Sequence, residues 1–228
     1  MIKRLADFDR VVILSIDRRQ SLWPELELQL TAAGIKNFSR FVAGDGKLLP
    51  ASFYNHIDPD SVPSAFSGFA NSYKAFLCFQ RIIHSAHAAG ADNVLIFEDD
   101  AELTTNANAI FEKTAADLIR LGLDWDLLYL GANHSWATTY QLTPNLLRLA
   151  GSFCFHAIAI HRTVFDQILS WSPQFPIDLM AGRVHMRNRS FATWPSIAIQ
   201  KPGFSHVEGR ERDYSEYWAC QGNPCIRL

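Results

Sequence analysis

The sequence predicts an α/β fold, a mostly parallel central sheet with helices on both faces. Two observations lead there. Short apolar runs recur at residues 11–16, 38–42, 93–97 and 126–131, and between them lie segments whose apolar residues repeat at helical spacing. Runs that are apolar throughout, instead of alternating, belong to strands buried on both faces. At 228 residues and 48% hydrophobic content the chain can bury roughly 70% of its unfolded surface, enough for one self-sufficient domain.

The first run, 11–16, ends in the charged cluster Asp17-Arg18-Arg19. A helix follows, with Ser21 as a cap, Pro24 in its first turn, Leu22, Leu26 and Leu30 on one face and Gly34 as its stop. The strand at 38–42 enters the turn Ala43-Gly44-Asp45-Gly46, and residues 47–68, with Pro50, Pro59 and Pro63, read as a loop. Residues 71–89 carry the wide stripe Tyr73, Phe76, Leu77, Phe79, Ile82, Ile83 and Ala86, closed by Gly90. The strand at 93–97 breaks at Glu98-Asp99-Asp100; residues 106–121 form a helix stopped by Gly122, and 126–131 make the fourth strand. Beyond it come a loop, a strand at 155–160, a short helix at 163–171 and a tail rich in proline and arginine. The division expected is a nucleotide-type half, about 1–132, and a smaller, irregular acceptor-type half with a C-terminal loop, about 133–228.

With 21 basic and 23 acidic side chains the formal charge is −2, which removes the broad positive field of a nucleic-acid binder. The cysteines at 78, 154, 220 and 225 are too scattered for a zinc ribbon, and free thiols in a reducing compartment fit them best, with Cys220 and Cys225 unbridged. The charged start carries no export signal, and the longest near-apolar run, 153–160, is far short of the ~20 residues a membrane span needs. A cytoplasmic location is expected, with peripheral membrane contact still open.

Ligands of such sheets lie beyond the carboxyl ends of the strands, where Glu98-Asp99-Asp100 stands. If the extended geometry continues through it, Glu98 and Asp100 share a face and Asp99 projects away. Two adjacent carboxylates call for a cation, and oxygen donors suit Mg²⁺ or Mn²⁺. The plainer reading is an acidic turn.

In context these segments resemble glycosyltransferase family 25, the lipopolysaccharide and procollagen galactosyltransferase group. The similarity runs through the first strand with Asp17-Arg18-Arg19, Ala43-Gly44-Asp45-Gly46-Lys47, Glu98-Asp99-Asp100-Ala101-Glu102-Leu103 and Trp125 to Gly131. It continues in Phe155 to Ile160, Pro176-Ile177-Asp178 and Pro195 to Gln200. The resemblance implies a GT-A fold, a UDP-sugar donor, a glycan or glycolipid acceptor and hexose transfer with inversion. It implies a metal, Mn²⁺ or Mg²⁺, held by Glu98 and Asp100 in a D-x-D-type motif. Asp17, Arg18 and Asp45 then lie near the donor's base and ribose, Asp99 joins the donor contacts, and Asp178 lies near the acceptor. Two positions depart from the family: its Ser-His reads here as Asn71-Ser72, and its late Ser-Asp-Ile as Ser205-His206-Val207. They motivate the alternative of a catalytically silent nucleotide-sugar or glycan-binding module.

Other residues carry two readings each. His206, flanked by Gly203 and Gly209, is a third metal ligand or an exposed loop histidine. Asp178 is a general base for the acceptor hydroxyl or an N-cap for 179–184. Arg183, Arg187, Arg189, Arg210 and Arg212 clamp phosphates or pair with nearby acids. His156 and His161 flank an apolar strand and fit core hydrogen bonding. A phosphoaspartyl phosphatase is disfavoured because Ser15-Ile16-Asp17-Arg18 lacks an Asp-x-Asp, and a pyrophosphorylase because no glycine-rich loop follows Ile16.

Overall fold

The computed structural model describes residues 2–16, 22–43, 70–133, 139–205 and 210–213. In chain order its elements are β1 (Arg10–Ile16), α1 (Trp23–Ala32), β2 (Phe38–Ala43), α2 (Ala70–Ala88), β3 (Asn93–Glu98), β4 (Ala101–Leu103), α3 (Ala107–Arg120), β5 (Leu127–Asn133) and β6 (Thr139–Thr143). There follow β7 (Leu146–Leu149), β8 (Phe153–His161), α4 (Phe165–Leu169), α5 (Ile177–Met180), α6 (Gly182–His185), β9 (Ser190–Thr193), β10 (Ala198–Gln200), β11 (Gly203–Ser205) and β12 (Arg210–Arg212).

Eight strands form one sheet in the order β2-β1-β3-β8-β5-β9-β7-β6, and all but β8 and β7 run the same way. The mostly parallel sheet of the sequence reading is therefore present. Strands from both halves of the chain interleave in it, since β8 lies between β3 and β5.

Strand alternation splits the core in two. Val12, Leu14, Val94, Ile96, Leu127 and Tyr129 pack with α2 and α4 on one face, while Val11, Ile13, Leu95, Phe97, Leu128 and Leu130 pack with α1 and α3 on the other. Both faces of each central strand are buried, which is why these segments read as unbroken apolar runs. The stops at Gly34 and Gly90 take φ of +83° and +70°, a conformation that costs any residue with a β-carbon.

Some elements differ from the sequence reading. Part of the stretch past residue 131 is a β6–β7 hairpin, turning at Pro144-Asn145. The helix at 163–171 is a 3₁₀ turn (Arg162–Val164) followed by α4. The chain runs from β1 out to the edge strand β2 and back across to β3, so its direction of travel reverses at β1. In open sheets ligand crevices fall at the carboxyl ends of the strands where such a reversal occurs, here β1 and β3.

Candidate active site

Glu98 is the last residue of β3, paired in register next to Leu14 of β1. Asp99 and Asp100 then form a turn, not a continuation of the strand. The expected two-residue alternation stops at Glu98 and does not set the directions of Asp99 and Asp100. Both aspartates are buried, and Glu98 is half-buried. The turn leads into β4, which pairs antiparallel with β10 so that Ala101 faces Gln200. Gln200 Nε2 donates to Asp100 Oδ2 at 3.2 Å, and the Lys201 N–H donates to the Asp100 carbonyl at 2.9 Å.

His156 sits behind this cluster, fully buried, with Nε2 3.3 Å from the Ala198 carbonyl oxygen. Burial pushes its pKa down to about 4 against the opposing pull of Asp100 and that carbonyl. A neutral, hydrogen-bonded core histidine is what the sequence suggested.

Asp178 lies in the first turn of α5, whose N-cap is Pro176, so it is not the N-cap of a helix over 179–184. Its Oδ1 accepts the Leu179 N–H at 2.9 Å and its Oδ2 the Cys154 N–H at 3.2 Å. Cys154 stands at the start of β8 with φ of 68°, an uncommon conformation for a residue with a β-carbon. Because Phe97 of β3 faces Ala157 of β8 in an antiparallel pair, Cys154 falls beyond the carboxyl end of β3. Asp178 is thereby tied to the same end of the sheet as the acidic turn. Burial raises its pKa, and the hydrogen bonds from Cys154 and Leu179 only partly offset that.

Beneath Asp178 lies a pair that the sequence did not reveal. Tyr129 Oη and His185 Nε2 are 2.9 Å apart in the buried interior. Burial drives the Tyr129 hydroxyl pKa well up, with Asp178 and Cys154 adding to it, and pushes His185 down to about 4. The one available signal was a tyrosine inside an apolar strand, whose hydroxyl needs a partner when buried.

Asp17, Arg18, Asp45 and His206 lie outside the described residues, as do Trp136, Trp218, Cys220 and Cys225. Arg187 and Arg189 pair with the buried Asp126 at 2.8 and 3.5 Å, in line with the plainer reading of the arginines. Among the described residues neither Cys78 nor Cys154 is in a disulfide. Among the described residues no three His, Cys, Asp or Glu side chains gather into a metal cluster. The carboxylates of Glu98, Asp99 and Asp100 are nonetheless hard oxygen donors, the kind that suits Mg²⁺ or Mn²⁺. Among the described residues no helix is long and apolar enough to cross a membrane.

No family model matches the chain. Curated relatives do. The inactive glycosyltransferase 25 family member 3 of Mus musculus is 30% identical over 138 residues, 54% of this chain and 22% of that protein. Its Homo sapiens counterpart is 27% identical over 195 residues, 75% of this chain and 31% of that protein. The chain is thus similar in sequence to members of glycosyltransferase family 25. It spans less than a third of the length of these family 25 relatives. Among solved structures, UDP-glucose pyrophosphorylase complexed with UDP-glucose aligns over 93% of this chain and 80% of its own, at 9% identity and a TM-score of 0.42. A glycosyltransferase involved in the glycosylation of the major capsid of PBCV-1 aligns over 94% of this chain and all of its own, at 11% identity and a TM-score of 0.34.

Proposed function

We propose that this chain is a GT-A-type glycosyltransferase domain that moves a hexose from a UDP-sugar to a hydroxyl of a glycan or glycolipid, with inversion. The observation that carries the reading is Asp178: a half-buried carboxylate held by two backbone N–H groups at the carboxyl end of the sheet. Inversion is one displacement. The acceptor oxygen forms its bond to the sugar's anomeric carbon, the bond from that carbon to the diphosphate oxygen breaks, and Asp178 takes the acceptor's proton. A base whose proton affinity is raised by burial suits that task.

Glu98 and Asp100, with His206, are the residues that would hold Mn²⁺ or Mg²⁺. Such an ion, when bound, stabilises charge on the departing diphosphate. Gln200 orients the Asp100 carboxylate from β10.

A thermal-shift panel of UDP-, GDP-, CDP- and ADP-sugars with Mn²⁺, followed by assay of hydrolysis of whichever binds, tests the reading. Stabilisation by a UDP-sugar with slow hydrolysis supports it; no donor binding across the panel overturns it. The second reading, a silent nucleotide-sugar-binding module, is favoured by the relatives that are themselves named inactive. It expects donor binding without hydrolysis or transfer.

A further inference from the structure

We propose that Arg40 is a phosphate-binding residue for the donor's nucleoside diphosphate, an inference that rests on the nucleotide-sugar reading above. Arg40 is on the edge strand β2, in register with Ile13 of β1. Its guanidinium leans toward the carboxyl end of the sheet, because Nη2 donates to Ser15 Oγ at 3.2 Å and Ser15 is two residues further along β1. The guanidinium also lies over the Trp23 ring, 5.3 Å from its centroid. Trp23 is itself set edge-on against Phe38 at 6.0 Å. The cation is thus pinned by an aromatic face and a hydroxyl, both neutral.

What it lacks among the described residues is an anion. Arg4, Arg120, Arg162, Arg187 and Arg189 each pair with an aspartate. Among the described residues no carboxylate pairs with Arg40, and its buried Nε has no hydrogen-bond partner. A half-buried guanidinium with no carboxylate beside it among the described residues gains from an anion, and its rigid fork of donors matches phosphate oxygens. An arginine that merely blunts a sheet edge against pairing has no need of a buried Nε and a stacked, hydrogen-bonded head. The position also fits. On its other side β1 is paired with β3, where Leu14 is in register with Glu98, so Arg40 and the acidic turn flank β1 at the crevice of the switch point.

Calorimetry of UDP and uridine binding to the wild-type chain, Arg40→Gln and Arg40→Lys decides the matter. Arg40→Gln is expected to weaken UDP about ten-fold or more and to leave uridine unchanged, since only UDP carries the phosphates. Arg40→Lys keeps the charge but not the fork and is expected to lose about three-fold; it serves as the test should the glutamine variant fail to fold. Equal UDP affinity in the folded variants and the wild type overturns the assignment, as does an equal loss for uridine. Failure of the wild-type chain to bind UDP, GDP, CDP or ADP removes the nucleotide-sugar reading itself and this inference with it. Tight UDP binding indifferent to Arg40 removes this inference alone.

Discussion

A β-carbon placed on Gly131 would lie 2.0 Å from the Ala198 carbonyl oxygen and 2.4 Å from His156 Nε2. β5 and the segment leading into β10 therefore meet backbone to backbone, and the Ile197 N–H donates to the Leu130 carbonyl at 2.8 Å. This contact seats β10, and with it Gln200, against Asp100. Gly131→Ala must push a backbone apart, so we expect a loss of about 3 kcal/mol or more. Gly34→Ala meets open space and strains only its positive φ, costing about 1–2 kcal/mol. Urea denaturation of the two variants separates these effects, and similar losses would argue against the close approach.

Acid is expected to destabilise the fold through two buried histidines. His156 and His185 both have pKa values near 4 when folded and near 6.5 when unfolded. Between those values the unfolded chain binds more protons, so stability is greatest above pH about 6.5 and falls as pH drops toward 4. His185→Gln should lower stability at pH 7, because it disturbs the Tyr129 hydrogen bond, yet flatten the pH slope. Denaturation midpoints at pH 7 and pH 5 measure it; an unchanged slope would mean that His185 titrates normally.

Asp126 is fully buried and accepts from Thr163 Oγ1 at 2.6 Å besides pairing with Arg187 and Arg189. Asp126→Ala leaves two guanidinium groups clustered without their acid. The arginines are each about a third exposed, and water compensates part of the loss, so about 2–3 kcal/mol is expected. The removal of Asp92, whose pairing with Arg162 is exposed on both sides, should cost much less, because water screens the pair. A thermal-melt comparison orders the two.

If Asp178 is the base of the proposed transfer, Asp178→Asn should reduce transfer by about a hundred-fold or more while leaving UDP affinity within about two-fold. Its raised pKa moves the acidic limb of the rate profile upward, with activity falling as pH drops through it. The same shift has a stability consequence of opposite sense. The folded chain holds this proton more tightly than the unfolded one, so at neutral pH the ionised Asp178 opposes folding. Asp178→Asn relieves that but sets its NH2 against one of the two backbone N–H donors, so the effects oppose and it should melt close to the wild type. A marked drop in melting temperature would point to a structural role instead.

The parts of the fold legible in the sequence were those written in local pattern. β1, β3 and β5 read as strands because burial on both faces left them apolar throughout, and α2 and α3 showed their stripes and glycine stops. The β6–β7 hairpin was not read, because Tyr140, Gln141 and Arg148 break the alternation; only Pro144-Asn145 marked the turn. Glu98, Asp99, Asp100 and Asp178 stood out as acids at strand ends. Tyr129 and His185 did not, since they are 56 residues apart and nothing local to either announces the other. Arg40 likewise reads as an ordinary polar residue of an edge strand until Trp23 and Ser15 are seen around it.

If Glu98 and Asp100 hold Mn²⁺, the ion links protein carboxylates to the diphosphate, and UDP should bind more tightly in its presence. Asp100→Asn should then lose most of that increment, since it removes a charge at a ligand. His206→Ala should lose less, because a neutral ligand contributes less than a carboxylate. Because Asp99 and Asp100 share a buried turn, alternation no longer ranks them; what the structure shows is Gln200 Nε2 donating to Asp100 Oδ2. Gln200→Ala should therefore weaken UDP in Mn²⁺ a few-fold and have little effect in chelator, a difference that a purely structural role would not produce. Calorimetry with and without Mn²⁺ reads all three variants, and equal wild-type affinities in the two conditions would remove the metal from the site.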